Sequence, residues 1–109
     1  KYSEAKINFI TNQKISGNLI NYKKNLKYNN FKNKILCIEN ADPGYDWIFS
    51  HRIKGLITQY GGANSHMAIR AGELELPAVI GVGDLLYQRI SRAKSIHIDC
   101  SSKLVEIIS

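Results

Sequence analysis

The sequence predicts a small α/β domain, and three features carry that expectation. Two apolar runs, "ILCIEN" at 35–40 and "IKGLIT" at 53–58, have the uninterrupted pattern of strands covered on both faces. A helical stretch at 65–75 follows the second run and stops before Pro77, because the residue ahead of a proline disfavours the helical region. Strand-like and helix-like segments then alternate to the end of the chain: "AVIG" (78–81), "DLLYQRI" (84–90), "SIHID" (95–99) and "KLVEII" (103–108).

Ahead of these, "KINFIT" (6–11) and "SGNLI" (16–20) read as short strands, and "NYKKNLKYNNFKNK" (21–34) as loop. "ADPG" (41–44) is a turn signal, with Pro and Gly behind an Asp. "YDWIFSHR" (45–52) carries one or two turns of helix pattern. The chain thus divides into a basic segment, 1–34, that is part of or leads into the domain, and a core, 35–109. At 109 residues and 44% hydrophobic, it fits one modest core. It opens on Lys1 in mid-pattern, so the expectation is a piece of a longer protein.

The net charge of +6 belongs to the first third. Residues 1–34 hold eight lysines against Glu4, whereas residues 35–109 hold seven basic and eight acidic residues. A nucleic-acid surface would interleave such lysines with exposed aromatics. Tyr22, Tyr28 and Phe31 offer that superficially, but a solvated Lys- and Asn-rich loop is the favoured reading. No apolar run approaches the ~20 residues of a membrane span, and the opening lacks a signal-peptide core. Cys37 and Cys100 stand apart in apolar or alternating runs, as small hydrophobes of a reducing cytosol do. A disulfide between them stays open at this level. No His, Asp or Glu cluster has metal-ligand spacing, and there is no phosphate-binding glycine motif for a nucleotide.

The densest stretch is "YGGANSHMAIRAGELELPAVIG" (60–81). Gly61 and Gly62 can take positive φ and admit close approach. Asn64 and Ser65 are good N-cap residues, so a helix begins at or just before His66. The first amides of a helix lack internal partners and its dipole leaves that end partly positive, which favours an anion, phosphate above all. The same field disfavours an imidazolium, leaving a neutral, nucleophilic ring. Such a ring can take a phosphoryl group and give it up. By spacing alone, however, a histidine here reads more simply as a cap or a groove filler.

"GGANSHMAIRAGELELPAVIGVGD" resembles the signature of the phosphohistidine swivelling domain of PEP-utilising enzymes. "KILCIENADPGYDWIFSHRIKGLIT" is similar to the strand, Asp-Pro loop and strand that lead into that signature, and "SIHIDCSSKLVEII" to its closing hairpin. The resemblance covers roughly residues 34–109. It implies a compact β/β/α swivelling domain, a mixed sheet with a helix starting at the catalytic His66. It further implies that His66 is phosphorylated from ATP, that Gly61, Gly62, Asn64 and Ser65 form the phosphate-facing turn, and that the domain swings between an ATP-grasp domain of the same chain and an acceptor site. ATP and Mg²⁺ would then sit on another domain, with no cofactor on this one, in a cytoplasmic phosphotransferase that the isolated domain does not turn over. The family includes phosphoenolpyruvate synthase, pyruvate phosphate dikinase, rifampin phosphotransferase and a capsule L-glutamine kinase. The wording "PGYDWIF…SHMAIR" is nearest the last, so the acceptor read here is L-glutamine, with pyruvate as the alternative.

Three positions depart from the family pattern: Met67 stands where it has a small residue, Gly72 where it has Arg, and Glu75 where it has Gly. Arg70, one turn after His66, can reach back over the ring in place of the missing Arg. It can equally be a surface arginine paired with Glu73 or Glu75. Gly72 in mid-helix costs ~1 kcal/mol relative to Ala, so it can mark close approach of another segment. Asp42, Tyr45, Asp46 and Trp47 form a loop that either frames the acceptor or simply turns, with Trp47 capping the core. His51 reads as a surface helix residue, and His97 as pointing to solvent from its strand. The competing class is a non-catalytic interaction or nucleic-acid-binding module.

Overall fold

The structure of the protein, a computed structural model, describes residues 6–22 and 28–109. Seven strands form one mixed sheet: β1 (Asn8–Ile10), β2 (Lys14–Asn21), β3 (Ile35–Ile38), β4 (Gly55–Thr58), β5 (Ala78–Ile80), β6 (Ser95–Asp99) and β7 (Leu104–Ile107). Their order is β1-β5-β4-β3-β2-β6-β7. The middle, β5-β4-β3-β2, is parallel, and β1, β6 and β7 close the sides antiparallel. The mixed sheet expected from the resemblance is therefore present. Strands β1 and β2 put the first segment inside the same sheet as the core.

The buried runs behave as two-faced strands. On β3, Leu36 and Ile38 join Leu56, Ala78 and Ile80 on one face, while Ile35 and Cys37 join Ile57 and Val79 on the other. The first face is covered by helix α1 (His66–Glu73) and a nine-residue 3-10 helix, Pro43–His51. The second is covered by α2 (Gly83–Ser91) and by Ile96 and Ile98 of β6. Because side chains alternate along a strand, two distinct cores need a continuous apolar run, as 35–38 has.

The segment 21–34 is only partly the loop expected. Residues 23–27, with three of the lysines, lie outside the described residues. A 3-10 turn, Tyr28–Phe31, follows, and Phe31 is fully buried in the first core, stacked on Trp47 at 6.2 Å. Tyr22 meets Tyr45 and Trp47 edge-on, at 5.7 Å each. These aromatics are spent on packing, and Trp47 does cap the core. His51 departs from the surface reading: its ring lies edge-on to Phe31 and Trp47 and is half-buried.

Helix α1 stops earlier than Pro77 requires. Glu75 takes φ 55°, and the amides of Glu75 and Leu76 donate to the carbonyls of Gly72 and Ala71. That is a Schellman closure, in which the left-handed residue ends the helix. The family's glycine at this position is the residue such a closure favours. Gly72 marks no forced approach, since a Cβ there would meet only Ile10 Cγ2, at an ordinary 3.6 Å. Met67 is fully buried.

Both cysteines are free and buried, and burial pushes the Cys37 thiol up to about 12. His97 is half-buried, its Nδ1 hydrogen-bonded to Ser16 Oγ at 2.6 Å. No helix among the described residues is long and apolar enough to cross a membrane.

Candidate functional site

The site is assembled where β4 hands over to α1. Thr58 ends the strand, its hydroxyl donating to the Tyr60 carbonyl at 2.8 Å and accepting from the Gly81 amide at 3.0 Å. Gly61 then turns at φ 119°, where a Cβ would sit 2.6 Å from that of Ala41. The glycine expectation thus holds at Gly61. At Gly62 it does not, because a Cβ there meets nothing within 4 Å and the backbone is ordinary.

Ser65 is the cap. Its Oγ donates to the Gly62 carbonyl at 2.7 Å and accepts from the Ala68 amide at 3.4 Å. Asn64 sits one residue outside the cap and is exposed. Two of the helix's first amides are less available than expected: Met67 donates to the Ala41 carbonyl at 3.3 Å, and Ala68 to Ser65 Oγ, while the ordinary helix ladder begins with Ile69 donating to the Ser65 carbonyl at 3.1 Å. The expected cradle of unpaired amides is therefore filled in part, at Met67 and Ala68, by the protein's own acceptors.

His66 is the first residue of α1, with a third of its side chain exposed. Its Nε2 lies 2.7 Å from Asp46 Oδ1, on the 3-10 helix twenty residues earlier. Arg70 Nε donates to that same oxygen at 3.1 Å, and its Nη1 donates to Glu73 Oε1 at 3.0 Å. Both readings of Arg70 hold in part: it pairs with Glu73, and it leans back toward His66, sharing a carboxylate with the ring. The guanidinium also lies 5.8 Å from the Phe49 ring centre. The hydrogen bonds from His66 and then Arg70 hold the Asp46 carboxyl below the usual carboxylate range.

A shallow open groove of about 370 Å³ runs past the ring, lined by Asn40, Ala41, Asp42, Tyr60, Gly61, Ser65 and His66. Asp42 is fixed there as cap of the 3-10 helix, accepting from the Gly44 amide at 2.9 Å. Tyr60, half-exposed, donates its hydroxyl to Asp84 at 2.9 Å. Of the expected phosphate-facing residues, Gly61 and Ser65 line the groove with His66. Gly62 and Asn64 are not in its lining, and Arg70 reaches the site through Asp46.

Asp46 is the residue the sequence undervalued, as one of four on a turn. No local signal marks it, because an acidic residue in the first turn of the 3-10 helix is explained by the helix end alone and its partner lies twenty residues on. Among the described residues no group of three or more His, Cys, Asp or Glu is placed to hold a metal ion.

The sequence matches the family described as PEP-utilising enzyme, mobile domain, over residues 31–103. It is 32% identical over 68 residues to a phosphoenolpyruvate synthase of Aquifex aeolicus, covering 62% of this chain and 8% of that protein. It is 48% identical over 48 residues to a rifampicin phosphotransferase of Bacillus cereus, covering 44% of this chain and 5% of that protein. The chain therefore spans less than a tenth of the length of these relatives. A UPF0107 protein with a solution structure superposes with a TM-score of 0.66 at 14% identity, covering 94% of this chain and 96% of its own, a likeness of fold alone.

Proposed function

This chain belongs to the family of PEP-utilising enzyme mobile domains, and on that premise we propose that His66 is its phosphoryl carrier. The single observation behind this reading is the placement of His66. A partly exposed imidazole stands at the first position of a helix, on the rim of an open groove, with a carboxylate on one ring nitrogen. Such a ring is oriented before a donor arrives, and it is a nucleophile at whichever nitrogen is free of its proton. Exposure matters as much as chemistry, because a carrier must meet its donor and its acceptor in turn.

The donor in this reading is ATP, held with Mg²⁺ by an ATP-grasp domain of the parent protein, and the acceptor is a small molecule. L-glutamine rests on the wording "PGYDWIF…SHMAIR" alone, and neither relative described above is a glutamine kinase. Transfer to or from pyruvate is the alternative. The working compartment in this reading is the cytoplasm.

The test is labelling of the intact protein with β- and γ-labelled ATP. The expected result is an acid-labile, base-stable label at His66 that is lost in His66→Asn. Equal labelling of that variant overturns the reading.

A further inference from the structure

We infer that Asp46 is a positioning residue that competes with the transferred phosphoryl group, both for the tip of the His66 ring and for Arg70; this rests on the carrier reading above. One oxygen, Asp46 Oδ1, serves two cationic or donor groups at once, Nε2 of His66 at 2.7 Å and Nε of Arg70 at 3.1 Å. In the unphosphorylated carrier this is favourable on both sides. A carboxylate accepts only, so it selects the ring form bearing a proton on Nε2. It also holds the guanidinium one turn above the ring.

Phosphorylation reverses the sign. Nε2 is the outer tip of the imidazole, whereas Nδ1 lies beside Cβ and the ring's own backbone, so an in-line donor approaches Nε2. A protonated Nε2 has no lone pair to give, so Asp46 must first draw away and the ring must shift its proton through water to Nδ1. The freed Nε2 pair then forms the bond to phosphorus as the P–O bond to the departing ADP or other leaving group breaks, and the Nδ1 proton of the resulting phosphoimidazolium is lost to water. The phosphoryl group then occupies the place where Asp46 Oδ1 stood. Two anions cannot share that place without repulsion, so the carboxylate must withdraw and release Arg70.

The phosphoryl group needs that release. The amides of Met67 and Ala68 are already engaged, so the helix end offers a new anion less than an uncapped one would. Arg70 is the cation at hand. It is held by Asp46 and Glu73 and only partly buried, so it can change partners without unpacking the core. Asp46 in this account stabilises the empty carrier and destabilises the loaded one, which favours delivery of the phosphoryl group.

The test is the ratio of phosphorylated to free His66 in the intact protein at fixed ATP and product concentrations. Asp46→Asn keeps the size and removes the charge, and should raise that ratio on the order of tenfold. Asp46→Glu restores the charge and should return it toward the wild-type value. A ratio that is unchanged or lower in Asp46→Asn, or that rises equally in Asp46→Glu, overturns the inference while the carrier reading stands. No label on the wild-type protein overturns both.

Discussion

The carbonyl oxygen of Gly61 lies where a Cβ on Gly81 would have to sit. Gly61 opens the loop to His66, and Gly81 follows β5, so the two glycines let the loop close against the neighbouring strand end. Gly81 is at φ 76°, which adds backbone strain to the overlap for any other residue. Gly81→Ala should destabilise the domain by about 2–4 kcal/mol, read by chemical denaturation. It should also lower phosphorylation of His66, because the loop must move away.

The end of α1 offers the opposite change. Glu75 closes the helix at φ 55°, a conformation that costs a residue with a side chain roughly 1–2 kcal/mol. Its contacts there are made by the backbone, including the carbonyl that accepts from Gln13 Nε2 at 2.7 Å. Glu75→Gly should therefore stabilise the protein by about 1 kcal/mol. Gly72→Ala should add up to about 1 kcal/mol, since alanine is favoured over glycine at a helical position, here in the last turn, and Ile10 leaves room. A denaturation midpoint that falls in either variant would refute the corresponding account.

What the amino-acid sequence alone makes legible follows from how local each cause is. Strands β3 and β4 were legible because both their faces are buried, which writes a continuous apolar run. The Ser65 cap and the Gly61 turn were legible because they act within a few residues of themselves. Phe31 was not: one aromatic among lysines and asparagines has no periodic neighbours to mark it as core. Asp46 was not, because its bond to His66 spans twenty residues and exists only once the 3-10 helix packs on α1. Phosphoryl-carrier chemistry is legible only through the family resemblance, since spacing alone favours a plain cap.

The two cysteines give a pH-dependent test. The folded state raises the Cys37 thiol from about 8.5 in an unfolded chain to about 12 by burial. Folding thus favours the protonated form, so this stabilisation is fully present below the unfolded value and is lost as pH rises toward 12. At neutral pH neither Cys37 nor Cys100 should react with a thiol reagent until the protein unfolds. Stability measured from pH 8 to 11 should fall less steeply in Cys37→Ala, after allowing for its cavity. Rapid modification of the native protein would contradict the burial.

The basic first third admits one more decision, between packing and binding. If Phe31 and Tyr22 stacked on nucleic-acid bases, replacing Phe31 would weaken binding and leave stability nearly unchanged. The structure puts Phe31 at zero exposure, between Trp47 and the sheet. Removing a fully buried phenyl ring loses its transfer energy and leaves a cavity, which amounts to about 3–5 kcal/mol. Phe31→Ala should accordingly unfold the protein at much lower denaturant. Any residual affinity for RNA or DNA should be unchanged relative to the folded fraction and should vanish with added salt, as lysine contacts to phosphate do. A stable Phe31→Ala protein with weakened RNA binding would instead turn this segment into a nucleic-acid surface.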